Sequence, residues 1–331
     1  MEDKKQVMQL MYDEAKMYLK EICPEDINLD KYFNLEKTFK TKNDILFTLL
    51  VCLQDRQMAD KVIGFMKNDR QEIFKKLLFD YDSDKILNTY DSDSLLAEFS
   101  RHFTINNIDS KNNLWRMYAK SVISSAKFIS EFKSADDFDN YVNSYKGNEI
   151  ELPMLLQNTI FGMGFALACH FLKELGYSNY AKPDIHIKEI FTAFDLCHDD
   201  DYSVFNTVLE MANVVDDSAY NLDKLFWLVC SGNFHMDNVM VGRHKEDFIN
   251  RVKERIIKYE KQESINKTNS QEEVMQITNI RKYKNNYGNI YGRITFDENT
   301  INNFLGNNDV GKVIIKYDKE NDCLIIQKLA D

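Results

Sequence analysis

The chain has 331 residues, 44% of them hydrophobic, and its 53 acidic side chains outnumber the 42 basic ones to leave a net charge of −11. That length holds two or three domains. The acidic balance argues against a broad cationic surface for nucleic acid and leaves only a local positive face. The apolar runs, such as residues 45–53, are too short to span a bilayer, and the acidic, mixed start MEDKKQVMQLMYDEAK is unlike a signal peptide. Six cysteines without a CxxC pair argue against a zinc finger or an iron–sulfur cluster and fit reduced thiols in a cytoplasm.

Residues 1–43 read as one or two helices broken near Cys23-Pro24-Glu25-Asp26. Lys42-Asn43-Asp44 can cap a helix over Ile45 to Leu53, apolar on all sides, which runs into the polar turn Gln54-Asp55-Arg56-Gln57-Met58-Ala59. From Asp69 to Tyr141 the pattern is helical throughout. The Asp-rich stretches 80–84 and 90–93 lack the Gly and terminal Glu of a calcium loop and read as helix caps. Trp115 to Phe132 is a strong amphipathic helix with Ala and Ser on its close-packing side.

The stretch Leu152 to Ile190 organises the chain. Leu155, Leu156, Ile160 and Phe161 recur at helical spacing before Gly162-Met163-Gly164; Phe165, Ala168, Leu172 and Leu175 do so after it, and Gly176 stops the second helix. A tight glycine turn between two helices leaves backbone N–H groups open at the second helix's N-terminus. Those groups and the positive end of the helix dipole can hold a phosphate without a basic side chain. A polar loop leads to Lys182-Pro183-Asp184-Ile185-His186, and an apolar helix begins again with Ile187, Ile190 and Phe191. On local chemistry alone Asp184 is equally a plain N-cap.

The order apolar, Gly, apolar, Gly, three residues, Ala (Phe161 to Ala168), followed 20 positions after Gly164 by an Asp in a Pro-Asp-x-His setting, resembles the helix-hairpin-helix and catalytic loop of the HhH-GPD superfamily of DNA glycosylases. That superfamily includes endonuclease III, the adenine glycosylases and the 8-oxoguanine glycosylases. The resemblance covers roughly residues 40 to 250 and implies a mainly α, two-lobed helical body. It further implies backbone contacts to double-stranded DNA through Gly162, Met163, Gly164 and Phe165, Asp184 as the catalytic carboxylate, and His186 and Lys182 as supports of its loop. The turn carrying Gln54, Arg56 and Gln57 is similar to the element that wedges a side chain into the duplex. The four-cysteine cluster that many endonuclease III relatives carry is absent, and no metal or cofactor is expected beyond a monovalent cation at the hairpin. Where bifunctional members carry a Schiff-base lysine, two residues after the second glycine, this chain has Ala166, which implies a monofunctional enzyme.

Cys197-His198-Asp199-Asp200-Asp201 offers metal-ligand types, but adjacent residues rarely converge on one ion, and the pair Asp200-Asp201 suits the start of a helix holding Val204, Phe205, Val208 and Leu209. Residues 1–250 therefore read as the helical body, with the hairpin at 152–176 and the loop at 181–187. Residues 251–273 read as a charged helix dissolving into a linker, and 274–331 as a small β-rich module. In the module, strands are predicted at 274–277, 292–296, 312–317 and 323–328, the last two joined by a turn at 318–322. The module is weakly similar to the swapped hairpins of AbrB-type regulators, which implies a homodimer, although Asp297 stands where those proteins usually have proline. Two other readings compete with the enzyme: a non-catalytic DNA-binding or regulatory protein, and a helical interaction scaffold favoured by the charge of −11.

Overall fold

A computed structural model describes residues 2–55 and 60–272, and beyond them the strand residues 274–277, 281–284, 290–293, 313–318 and 323–328. It divides into two compact units, Met1–Lys253 and Glu254–Asp331. The first is mainly helical, in agreement with the sequence. Among the described residues no helix is long and apolar enough to cross a membrane.

The first unit holds two helical packing groups. One is continuous in sequence and centres on α8 (Leu114–Ser130), which packs against α3 (Lys42–Gln54), α6 (Ser83–Thr89) and α7 (Ser92–His102). Its core is aromatic: Phe65 and Phe74 stack at 4.5 Å between ring centroids, and Phe103 and Trp115 at 4.7 Å. Each such buried ring contributes about 1.5–3 kcal/mol. Local capping sets the helix starts. Thr41 and Asp44 form a reciprocal capping box on α3, Asp82 caps α6 and Asp91 caps α7, each worth about 1 kcal/mol. The Asp-rich stretches are thus caps, as their sequence implies.

The other group is discontinuous. α1 (Glu2–Ile22) packs on α13 (Asp201–Val215) and α14 (Ala219–Ser231), and α14 also packs on α12 (Ile185–Ala193). Phe191, Phe226 and Phe248 are fully buried there. A two-residue antiparallel ladder, β1 (Asn233–Phe234) with β2 (Val239–Met240), follows α14. Its approach is close: a Cβ on Gly232 would lie 1.8 Å from the Gly242 carbonyl oxygen. The Asp200 side chain accepts the Ser203 N–H and caps α13.

Residues 251–273 differ from their reading as a charged helix dissolving into a linker. α15 runs unbroken over Lys245–Glu272, because that stretch contains neither Pro nor Gly and is rich in Lys, Glu, Arg and Gln. Beyond it, β3 (Val274–Ile277), β6 (Val313–Asp318) and β7 (Cys323–Lys328) form an antiparallel sheet in the order β3-β7-β6. β4 (Arg281–Lys284) pairs separately with β5 (Ile290–Arg293). The sequence reading missed β4, whose run Arg-Lys-Tyr-Lys carries no apolar alternation, and set β5 two residues late. Asp297 and the turn residues 319–322 lie outside the described residues.

Candidate active site

α10 (Glu151–Thr159) and α11 (Phe165–Glu174) form the hairpin. Gly162 sits at φ +86°, a left-handed conformation that disfavours any side chain. α8 clamps the turn from behind: the Phe161 N–H donates to Ser124 Oγ at 3.0 Å, and Ser121 Oγ donates to the Phe161 carbonyl at 2.8 Å. Gly164 is the N-cap of α11 and supplies no capping side chain, and a Cβ built on it would meet nothing within 4 Å. Gly164 is exposed and no side chain caps the helix, so the first-turn N–H groups of α11 are a ready position for an anion. Met163 and Phe165 are buried, Phe165 against Tyr202 and Phe205. What these two residues can offer a ligand is their backbone. Lys120, exposed on α8, lies 5.6 Å over the Phe161 ring and gives the hairpin a cation that the sequence reading did not single out.

The far end of α11 is closed by Gly176 at φ +95°, where a Cβ would lie 2.4 Å from the Glu36 carbonyl oxygen. The Gly176 and Tyr177 N–H groups return to the carbonyls of Lys173 and Leu172, a Schellman stop. Glycine there is required by both conformation and space.

Asp184 caps α12. Its Oδ1 accepts the N–H groups of His186 at 2.9 Å and Ile187 at 3.1 Å. Its Oδ2 accepts no hydrogen bond from the described residues, so one carboxylate oxygen is held and the other is available. A helix N-terminus favours the ionised form, but burial and the neighbouring Asp223 carboxylate outweigh it and push the Asp184 carboxyl above its ordinary range. The capping bond from Ile187, the Lys182 ammonium and the His186 ring in its protonated form act the other way.

The two expected supports of this loop act through their main chains. Lys182 donates its backbone N–H to Asp223 at 2.9 Å, and its carbonyl accepts the Asp184 N–H at 2.7 Å. His186 donates its backbone N–H to Asp184, while its ring Nδ1 is buried without a hydrogen-bond partner among the described residues. Burial lowers the His186 ring below the usual histidine range, so it is neutral at pH 7 and acts as neither a charged clamp nor an imidazolium acid.

Sequence reasoning missed the pair behind the loop. Lys173 of α11 and Asp223 of α14 are both buried, with Nζ–Oδ2 at 2.7 Å. Burial disfavours the Lys173 ammonium, but Asp223 beside it wins and holds it charged. The available signal was an acid and a base (Asp223 and Lys224) set between Leu222 and Leu225-Phe226 in an otherwise apolar helix.

The end of α3 reaches the same part of α11. Asp55 Oδ2 lies 3.7 Å from His170 Nε2, and burial lowers the His170 ring well below its ordinary range, leaving it neutral. Gln54 is not a wedge. It is 5% exposed, and its amide oxygen accepts the Phe65 N–H at 2.8 Å, which ties α3 to its own core. Arg56 and Gln57 lie outside the described residues. Ala166 stands in the first turn of α11.

No protein-family profile matches the chain. No curated protein is similar to it in sequence. Two solved structures are similar to it, both from Methanocaldococcus jannaschii. One is an 8-oxoguanine glycosylase/lyase in complex with a 15mer DNA containing 8-oxoguanine, at 18% identity and a TM-score of 0.39 over 67% of this chain and 91% of that one. The other is an 8-oxoguanine DNA glycosylase, at 19% identity and a TM-score of 0.40 over 68% of this chain and 92% of that one.

Proposed function

We propose that the chain is a monofunctional DNA glycosylase that flips a damaged or modified base from the duplex and hydrolyses its N-glycosidic bond with Asp184. The observation that carries this reading is the state of the Asp184 carboxylate. One oxygen is fixed by two N–H bonds and the other accepts none from the described residues, on a loop pinned to Asp223 of α14, which in turn pairs with Lys173 of the helix that opens with bare amides at Gly164. Cleavage of the bond to the base leaves positive charge on the sugar, as in glycoside hydrolysis. A carboxylate fixed through one oxygen can place the other against that charge and orient or deprotonate the attacking water. Backbone amides at the hairpin would hold a phosphate of the same strand, so a net charge of −11 does not forbid binding. With Ala166 in the first turn of α11, the position of the Schiff-base lysine carries no amine, and water is the nucleophile.

This reading takes double-stranded DNA as partner and needs no cofactor; a monovalent cation at the hairpin is compatible with it. It places the protein in the cytoplasm, on the nucleoid when bound to DNA, in base-excision repair or in defence against modified DNA. Residues 274–331 would serve as a dimerisation module. Light scattering should then give twice the chain mass for the full protein and a single chain mass for one ending at Lys261, and equal states would remove that role.

The deciding experiment is an excision screen on duplexes carrying single lesions, 8-oxoguanine among them, with alkali added afterwards to reveal abasic sites. Alkali-dependent cleavage supports the reading. Cleavage before alkali, together with a borohydride-trapped adduct, would overturn the monofunctional assignment. One observation favours a second reading, a non-catalytic DNA-binding protein: capping of α12 by itself accounts for Asp184 Oδ1. That protein would bind duplex in the same screen and excise nothing.

A further inference from the structure

We propose that Asp223 and Lys173 act as a buried positioning pair that fixes both the place and the charge of Asp184. The inference rests on the glycosylase reading for its consequence, though not for its geometry. Asp223 Oδ2 accepts two hydrogen bonds at once, from Lys173 Nζ at 2.7 Å and from the Lys182 N–H at 2.9 Å. Lys182 in turn accepts the Asp184 N–H at 2.7 Å on its carbonyl. One carboxylate thus joins α11, α14 and the loop that starts α12. Pro183 is buried between the two loop contacts, so the peptide run 182–184 has little freedom to turn Asp184 away.

A neutral hydrogen-bonding group would have been enough to hold the Lys182 N–H. The ion pair adds a charge arrangement around Asp184. Asp223 of α14 faces it with negative charge and pushes its carboxyl up, while Lys182 of the loop, and His186 of α12 when protonated, act to lower it. Asp184 in turn raises the Lys173 amine of α11, so the two groups attract, and it raises the Cys230 thiol of α14. Glu174 also lies near Lys173, at 3.9 Å, and Arg243 and Lys245 face His186. Removing one partner of the pair should therefore move Asp184 in a direction set by the sign of the charge removed. With Asp223 neutral, the lone Lys173 favours the ionised carboxylate. With Lys173 neutral, two carboxylates face each other and ionisation becomes harder.

The test is a ¹³C-aspartate NMR titration of the full chain, with the Asp184 signal assigned by its loss in Asp184→Asn. The proposal expects Asp223→Asn to move the Asp184 midpoint down and Lys173→Met to move it up, each by about one pH unit, while Lys173→Arg stays at the wild-type value. In the excision assay the acid limb of kcat should follow the same two directions, because the reaction needs the ionised form. Equal or like-signed shifts in the two variants would overturn the proposal, since a purely structural pair lowers the rate without moving the titration in opposite senses. If Asp223→Asn fails to fold, the contrast between Lys173→Met and Lys173→Arg decides the matter alone. Absence of excision by the wild type would sink the glycosylase reading, and the titration would still decide whether the pair sets the charge of Asp184.

Discussion

At its N-terminal end α11 presents main-chain N–H groups behind a glycine cap with no side chain. Eight residues after Phe165, roughly 12 Å along the axis, the same helix presents a lysine sealed in a buried ion pair. The first end is electrostatically positive through the backbone alone, is open to solvent and depends on glycine conformation. The second depends on side chains drawn from α11, α14 and the Asp184 loop, and water is largely kept from it. The difference teaches how an acidic protein can meet a polyanion. On the proposed reading, contact with phosphate would fall to groups that carry no formal charge and need no lysine-rich surface, while the buried Lys173–Asp223 pair would act on a single carboxylate.

Three substitutions break or sharpen that contrast. The largest effect belongs to the buried end. Lys173→Met strands the Asp223 carboxylate in the core, and breaking a buried pair in this way costs about 3–5 kcal/mol. Chemical denaturation should show that loss, and a change below about 1 kcal/mol would mean that water already reaches the pair.

Next in size is Gln54→Ala, which leaves the buried Phe65 N–H without its acceptor at a cost of about 1–3 kcal/mol. Excision at a temperature where the variant is folded should be unchanged; a fall in excision without a fall in stability would return Gln54 to the duplex wedge.

The smallest is at the open end. Gly164 already has the extended dihedrals of an N-cap, φ −92° and ψ 165°. Gly164→Asp should therefore leave the melting temperature unchanged or raise it slightly, because Asp caps better than Gly by a few tenths of a kcal/mol. The new carboxylate should at the same time weaken duplex binding by about tenfold, through repulsion and occupied amides. Equal binding by the variant would mean that the hairpin does not touch phosphate.

The two ends of α11 also differed in how far they could be read from sequence. The hairpin was legible because its signals are local: Gly162 and Gly164 between two apolar periodicities, Gly176 at the stop, and Asp184 after Pro183. The caps at Asp82, Asp91 and Asp200 were legible for the same reason, each acting within three residues of itself. Asp223 and Lys173 were not, because they stand 50 residues apart and meet only when α14 folds onto α11. Gln54 misled for a related reason. A polar residue at the end of an apolar helix looks exposed until Phe65, 11 residues on, turns its N–H toward it. His186 keeps its place in the expected loop, where its backbone N–H bonds Asp184.

The central claim, that Asp184 is a working carboxylate and more than a helix cap, is tested most directly by Asp184→Asn under single-turnover conditions on a duplex the wild type accepts. Asparagine keeps an oxygen for the His186 and Ile187 N–H groups but removes the charge. The account predicts unchanged thermal stability, duplex affinity close to that of the wild type, and excision slowed by roughly 10²–10³-fold or more. Excision at the wild-type rate by Asp184→Asn would contradict it and leave Asp184 as the cap of α12 alone.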